Sequence, residues 1–471
     1  MKTIKYLILI TSLFLFATAC ENDLDIAPED QNTSAGFYNN ASDMEAAVNA
    51  IYGGLQRTGL YGYNYHFLLE TRSDNTFEEE PSNSGGFGDV DLFNRVTTNG
   101  VFSRTWEDSY VTIQAANIVL NRIDGIDDID NEVRSSRKGE AKFVRALIYY
   151  NLVNLYGDVP LVIEETTNPT DFFGQGRTPV SEVYDQIIID LTEAQNELPA
   201  NNEDGRATKD AANALLGKVY LSNGNPQAAE AALRSVNNAT LVQNYADIFG
   251  ISNENGPESI FEIQFKSGVN GNSEGSDFAA LFTSQANPGS RGNNVITEDL
   301  VNSFEPGDLR SNEIIPDAST PTIFISTKYV DDDLPVLDDG DNNVIVLRYA
   351  DVLLMLAEAL NEQGYVPDGE AFNLLNQIRI RAGLSGLDSS TITSQEEFRV
   401  ALLEERRHEL FMECHRWFDL KRLGDAVSTM NTHFANIPGL NITIDQNDLL
   451  LPIPQDQVDT DPDFITQNPG Y

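Results

Sequence analysis

The chain has 471 residues with 30 basic and 73 acidic side chains, a formal net charge of −43. Such a field repels nucleic acid and anionic lipid surfaces, and it disfavours strongly anionic polymers as ligands unless a local basic pocket intervenes. With Cys20 and Cys414 as the two cysteines there is no disulfide framework if Cys20 is modified, so stability must come from an apolar core. The length allows two or three domains or one large helical array.

Lys2 and Lys5 precede an apolar run from Tyr6 to Phe16, and Ala17-Thr18-Ala19 ends directly at Cys20. A basic start, a short apolar run and small residues predict an export signal over 1–19. The run is too short to cross a bilayer, which needs about 20 apolar residues. A cysteine placed there is similar to a bacterial lipobox, which predicts acylation of Cys20 and a lipid anchor through several N-terminal acyl chains. Residues 20–35 are polar and acidic without an apolar period and read as a tether.

The spacing predicts a helix from Phe37, with Ser42 and Glu45 at capping-box positions. Residues 53–100 are rich in Gly, Asn, Asp, Tyr and Phe and read as a long loop region, with a candidate ligand loop at 60–95. Helical periodicity returns over Thr105–Ile123 and Glu140–Tyr156, where Phe143, Ala146, Leu147 and Tyr150 share an apolar side and Gly157 stops the helix. Two or three more helices fill 182–236. Ala211–Val236 and Val352–Ile378 share a layout: an Ala/Leu-rich helix, a Gly turn, a proline and a second helix. That is the hairpin of a tetratricopeptide repeat, which must stack on neighbours to bury its apolar face. Between these hairpins, 250–346 reads as a loop-rich insertion with strand-like runs at Ile260–Phe265 and Ile323–Ile325. A last helix is expected over 395–423, capped by Ser394, followed by a loop-like tail. The divisions are therefore a signal over 1–19, a tether over 20–35, a helical region over 36–249, the insertion over 250–346 and a C-terminal helical region over 347–471.

No motif for catalysis stands out. His66, His408, His415 and His433 contain no pair at zincin spacing, and G-x-S-x-G, P-loop and strand-anchored G-x-G-x-x-G patterns are absent. The acidic stretches Asp331-Asp332-Asp333 and Asp338-Asp339-Gly340-Asp341 lack an EF-hand's closing glutamate and read as solvated loops, so no metal or other cofactor is expected. Arg406 and Arg407 among Glu404, Glu405 and Glu409 read as ion pairs between hairpins. Trp106 and Trp417 fall at apolar helical positions and read as core.

Several segments together resemble the SusD/RagB family of outer-membrane lipoproteins: Phe37, Asp43, Ala46, Ala47 and Tyr52; Glu140-Ala141 through Tyr156-Gly157-Asp158-Val159-Pro160; Leu347-Arg348-Tyr349-Ala350-Asp351; Glu405-Arg406-Arg407-His408-Glu409-Leu410 with Arg416-Trp417-Phe418-Asp419; and Leu451-Pro452-Ile453-Pro454 with Asn468-Pro469-Gly470-Tyr471. The resemblance implies a mainly α fold, a tetratricopeptide-like hairpin scaffold with an inserted irregular loop-rich lobe. It implies a non-catalytic surface lipoprotein of the outer membrane that captures oligosaccharide and hands it to a SusC-like TonB-dependent barrel. Arg72-Ser73-Asp74-Asn75 resembles the family's entry into its ligand loop.

Sugar binding needs an aromatic plane for the apolar ring face and fixed polar partners for the hydroxyls. Loop 60–95 supplies Tyr61, Tyr63, Tyr65, Phe77, Phe87 and Phe93 with Arg72, Asp74 and Asn75; the insertion adds Phe278, Phe282, Arg291 and Phe324. The glycan-binding candidates are Arg72, Asp74, Asn75, Phe87, Phe93, Phe278 and Phe282, at the meeting of loop and insertion. With both tryptophans on helices, a peptide-binding, RagB-like import subunit is the alternative. A secreted glycosidase is the competing reading of another class.

Overall fold

Long helices follow one another along the chain, each packed on the next. The computed structural model describes residues 38–168, 170–268, 274–329 and 339–471. The export signal, Cys20, the tether and Asp331–Asp333 lie outside the described residues.

Helix α1 is Ala41–Leu55, and its cap is Asn40, whose side chain accepts the Asp43 N–H. The cap thus falls two residues before Ser42; Asn is as good an N-cap as Ser, and Asn40 has the extended backbone a cap requires. Helices α2 (Gly100–Arg122) and α3 (Asn131–Tyr156) pack on each other and on α1. α3 begins nine residues before the expected Glu140. Its first turns are polar and held by ion pairs, Arg137 to Glu45 at 2.8 Å and Lys138 to Asp124 at 2.9 Å, which an apolar period does not report.

Helices α4 (Val180–Glu197), α5 (Lys209–Ser222) and α6 (Pro226–Leu233) follow, then α7 (Tyr349–Gln363) and α8 (Glu370–Arg381). The α5–α6 and α7–α8 pairs are the two expected hairpins. α6 packs directly on α7, although the whole insertion separates them in sequence. Gly224 closes the first hairpin with φ of +71°, a conformation costly for any residue with a Cβ.

The expected last helix is two helices, α9 (Gln395–Leu410) and α10 (Arg416–Arg422). Ser394 caps α9 as expected, accepting the Glu397 N–H. At the elbow between α9 and α10, Met412 and Cys414 each take φ of +65°. The turn aims Glu413 inward, where Arg348 at 2.6 Å and Lys328 at 2.7 Å meet its carboxylate. The tail is more ordered than its composition suggests, with α11 at Ala426–Asn436.

Among the described residues, six short strands lie around the insertion: β1 (Thr76–Phe77), β2 (Ser259–Ile263), β3 (Val295–Ile296), β4 (Ile314–Pro316), β5 (Phe324–Ser326) and β6 (Val344–Arg348). One antiparallel sheet runs β1-β3-β5-β4, and β2 pairs with β6. Strand β1 comes from the candidate ligand loop, with Thr76 opposite Ile296 and Phe77 opposite Val295, so loop and insertion share a sheet.

Charged side chains, fully buried, tie the lobe to the helices. Arg348 donates to Glu409 and Glu413, each at 2.6 Å, and to Glu258 at 2.8 Å. Arg310 meets Asp308 at 2.7 Å and Glu405 at 2.6 Å. Arg406 reaches Asp351 on α7 at 2.7 Å and Asp419 on α10 at 2.8 Å. Of the two arginines expected to pair between hairpins, Arg406 does so, whereas Arg407 turns to Asp299 of the insertion at 2.9 Å. Both tryptophans are core, Trp106 edge-on to Tyr156 at 5.2 Å and Trp417 edge-on to Phe93 at 5.6 Å.

Phe143 on α3 is 0% exposed and packs edge-on against Phe261 of β2, with ring centroids 4.9 Å apart. Phe143→Ala is predicted to destabilise the protein by about 3–5 kcal/mol, the usual range for truncating a buried Phe. Urea denaturation of the variant beside the wild type measures it; equal midpoints would show that this contact contributes nothing.

Candidate ligand-binding surface

Residues 72–75 enter the candidate loop from below, where the α9–α10 elbow grips them. Arg416 donates from Nε and Nη2 to the two carboxylate oxygens of Asp74 at 2.8 and 2.9 Å. Arg407 donates to Asn75 Oδ1 at 2.9 Å and to the Asp74 carbonyl at 3.0 Å. Asn75 in turn donates to buried Glu70 at 3.2 Å. Burial by itself would raise the Asp74 pKa, but Arg416 and Arg407 hold it well below the usual carboxylate range. The Arg72 guanidinium carbon lies 4.1 Å from the Phe93 ring centre and 5.4 Å from that of Trp417, and Arg72 donates to the Asp448 carbonyl at 2.7 Å. Arg72, Asp74 and Asn75 are at most 3% exposed. These facts correct the expectation of direct ligand contact: all three side chains are buried, Asp74 and Asn75 are bonded inside, and together they build the base of the loop.

The same correction applies to three of the aromatic candidates. Phe93 lies against Arg72, Trp417 and Phe434 and is buried. Phe278 and Phe282 stack on each other at 5.5 Å, surround His66 and are 0% exposed. They form the core of the lobe together with Phe265, Leu281, Ile296 and Tyr329, which are buried as well. Burial drives the His66 pKa down to about 3, so its imidazole is neutral.

Phe87 alone among the aromatic candidates is partly exposed. Its ring leans on Phe67 at 4.2 Å and on Tyr63 at 5.2 Å. The Tyr63 hydroxyl takes a hydrogen bond from Arg291 at 3.3 Å and lies 3.5 Å from Asn293 Oδ1. Arg291, 39% exposed in its side chain, also pairs with Asp277 at 3.4 Å. Glu79 accepts from Ser284 Oγ at 3.0 Å and the Gln285 N–H at 2.9 Å. An aromatic edge and fixed polar groups therefore meet at the outer rim of the loop–insertion sheet. Beside them lies an open depression of about 580 Å³ lined by Pro81, Ser82, Gly85, Gly86, Asp89, Leu92 and Asn94. Two glycines permit this closeness. A Cβ on Gly88 would stand 2.0 Å from the Pro81 carbonyl, and one on Gly292 would stand 2.4 Å from Glu79 Oε2.

Tyr63, Phe87 and Arg291 are legible as types in the sequence, but Asp277, Glu79 and Asn293 are not. Their signal is absent because Glu79 and Ser284 are 205 residues apart. Under the rim sit two carboxyls held above their ordinary range. Burial raises Asp91 to about 8, with Glu78 adding to it, and raises Glu78 to about 7, with Glu79 and Glu80 adding to it. Asp91 accepts the Glu78 N–H at 3.1 Å, and Glu78 accepts from Asn293 at 2.7 Å.

A family model described as "SusD family" matches residues 311–471, and one described as "Starch-binding associating with outer membrane" matches 24–221. The chain is 30% identical to SusD-like protein P25 of Formosa agariphila over 99% of each. It belongs to the SusD/RagB family. SusD-like protein P2 of the same organism is 29% identical over 99% of this chain and 100% of that one. A solved laminarin-binding SusD-like protein is 28% identical, with a TM-score of 0.76 over 92% of this chain and 100% of that one. A SusD homolog from Bacteroides thetaiotaomicron, 24% identical, has a TM-score of 0.80 over 93% of this chain and 99% of that one, which shows the shared SusD fold. The mainly helical scaffold with its inserted lobe is thus the family's fold.

Asp74→Ala is predicted to cost about 3–5 kcal/mol, because it leaves Arg416 buried without its counter-charge. Chemical denaturation measures the loss. Asp91→Asn tests the raised carboxyl. A carboxyl with a raised folded pKa stabilises below its unfolded value and loses that contribution as pH rises through the folded one. The variant's stability relative to wild type should therefore increase from about pH 4, the unfolded value, to about pH 8 and level off above it. Denaturation curves across that window check the slope; a flat difference would contradict it.

Proposed function

We propose that this protein is a non-catalytic, lipid-anchored binding subunit of the outer membrane. It captures oligosaccharide at the loop–insertion rim and delivers it to a SusC-like TonB-dependent importer. The observation that carries the reading is the rim itself: a partly exposed Phe87 ring against Tyr63, whose hydroxyl meets Arg291, which in turn pairs with Asp277. A sugar ring's apolar face suits the first, and its hydroxyls suit the donors and acceptors of the second. The family description of starch binding at the outer membrane and the laminarin-binding relative support a glycan. The lipid anchor at Cys20 and the barrel partner follow from the sequence reading of the N-terminus and of the family resemblance.

Calorimetry on the full chain in detergent, with laminari- and malto-oligosaccharides, tests the site. Phe87→Ala and Arg291→Ala should each weaken binding roughly ten- to a hundredfold, equivalent to about 1–3 kcal/mol, with melts unchanged. Equal affinity in both folded variants would move the site elsewhere. Binding of peptides with no binding of sugars would replace the glycan reading by the RagB-like one.

A further inference from the structure

We infer that the rim selects uncharged oligosaccharides and rejects chains that carry uronate or sulfate, an inference that rests on the glycan reading above. The charges around Phe87 are one-sided. Glu79 and Glu80 precede it on the same loop, Asp89 follows it two residues on, and Asp277 on the insertion pairs with Arg291, which bonds the Tyr63 hydroxyl next to the Phe87 ring. Deeper on the insertion side, Asp317 accepts from Asn287 at 2.7 Å and, at 3.4 Å, from the N–H of Ser284, the residue that bonds Glu79.

The cations nearby are already matched. Arg291 is held by Asp277 at 3.4 Å and the Tyr63 hydroxyl at 3.3 Å. Arg95, the next cation along the loop, is tied to Asp448 at 2.8 Å and Asp445 at 3.0 Å. An incoming anion would have to compete with a carboxylate for either one. Hydrogen-bond chemistry points the same way. Ionised carboxylates only accept, so they pair with sugar hydroxyls, which donate; uronate and sulfate oxygens only accept as well and leave both sides unmatched. The carboxyls below the rim already resist ionisation, Glu78 through burial and then through Glu79 and Glu80, and a further negative charge would add to that repulsion. The overall charge of −43 reinforces the local field rather than opposing it.

The test is calorimetry on the full chain in detergent, with laminarihexaose and maltohexaose against length-matched oligogalacturonate and sulfated laminari-oligosaccharide. Measurements at about 0.01 M and about 1 M salt span screening lengths of about 30 and 3 Å. The expected result is that an uncharged hexamer binds and its charged counterpart binds at least roughly tenfold more weakly, with the gap narrowing at high salt. Glu80→Gln combined with Asp89→Asn should raise the ratio of anionic to uncharged affinity. An anionic oligosaccharide that binds as tightly as the uncharged ones, or a ratio that the double variant leaves unmoved, overturns the inference and leaves the glycan reading intact. Binding of neither class overturns both.

Discussion

Glu409 sits where water does not reach, and Arg348, Arg310 and Arg381 converge on it from β6, from the insertion and from the end of α8. A buried charge without its partners costs several kcal/mol, so such a cluster is stable only when complete. Completing it requires that α9, the hairpin of α7 and α8, and the insertion all be in place. Burial alone would push the Glu409 carboxyl up, but Arg381, Arg348 and Arg310 hold it well below its ordinary range. Helical hairpins can slide along one another while keeping apolar contact. Directional arginine–carboxylate bonds fix the register that apolar packing leaves loose.

The strain at the elbow has the same origin. Two left-handed residues, Met412 and Cys414, bring Glu413 under Arg348 and Lys328 and turn the start of α10 so that Arg416 reaches Asp74. The Cys414 N–H, freed from helical bonding, donates to Glu70 at 2.8 Å. Buried charge thus runs without interruption from the helical scaffold to the base of the candidate loop. The loop's outer face is free to be irregular because its foot is held this firmly.

The consequence for function is a division of labour along a short stretch of chain. Asp74 and Asn75 are committed to arginines below, while Phe87, a dozen residues on, is partly exposed. A position on the rim needs neighbours from the insertion more than 200 residues away, as Glu79 with Ser284 and Tyr63 with Arg291 illustrate. The rim is therefore as well defined as the sheet that joins β1 to β3.

Periodicity and turn chemistry determine much of this protein by themselves. The helical class, the paired hairpins at α5–α6 and α7–α8, the Ser394 cap and the buried faces of Phe143, Trp106 and Trp417 are local consequences of residue spacing, and local spacing is what a sequence displays. Polar first turns hide the start of α3, and the break at 411–415 is invisible because the elbow is imposed by Glu413 seeking distant cations. The site divides likewise. Tyr, Phe, Arg and Asp in a long loop mark the region, yet the same composition serves a ligand surface and a buried foundation equally well. Only the fold decides that Asp74 meets Arg416 and that Phe278 and Phe282 stack inside, while Phe87 stays at the surface. Burial and charge pairing depend on segments that the chain brings together from hundreds of residues apart.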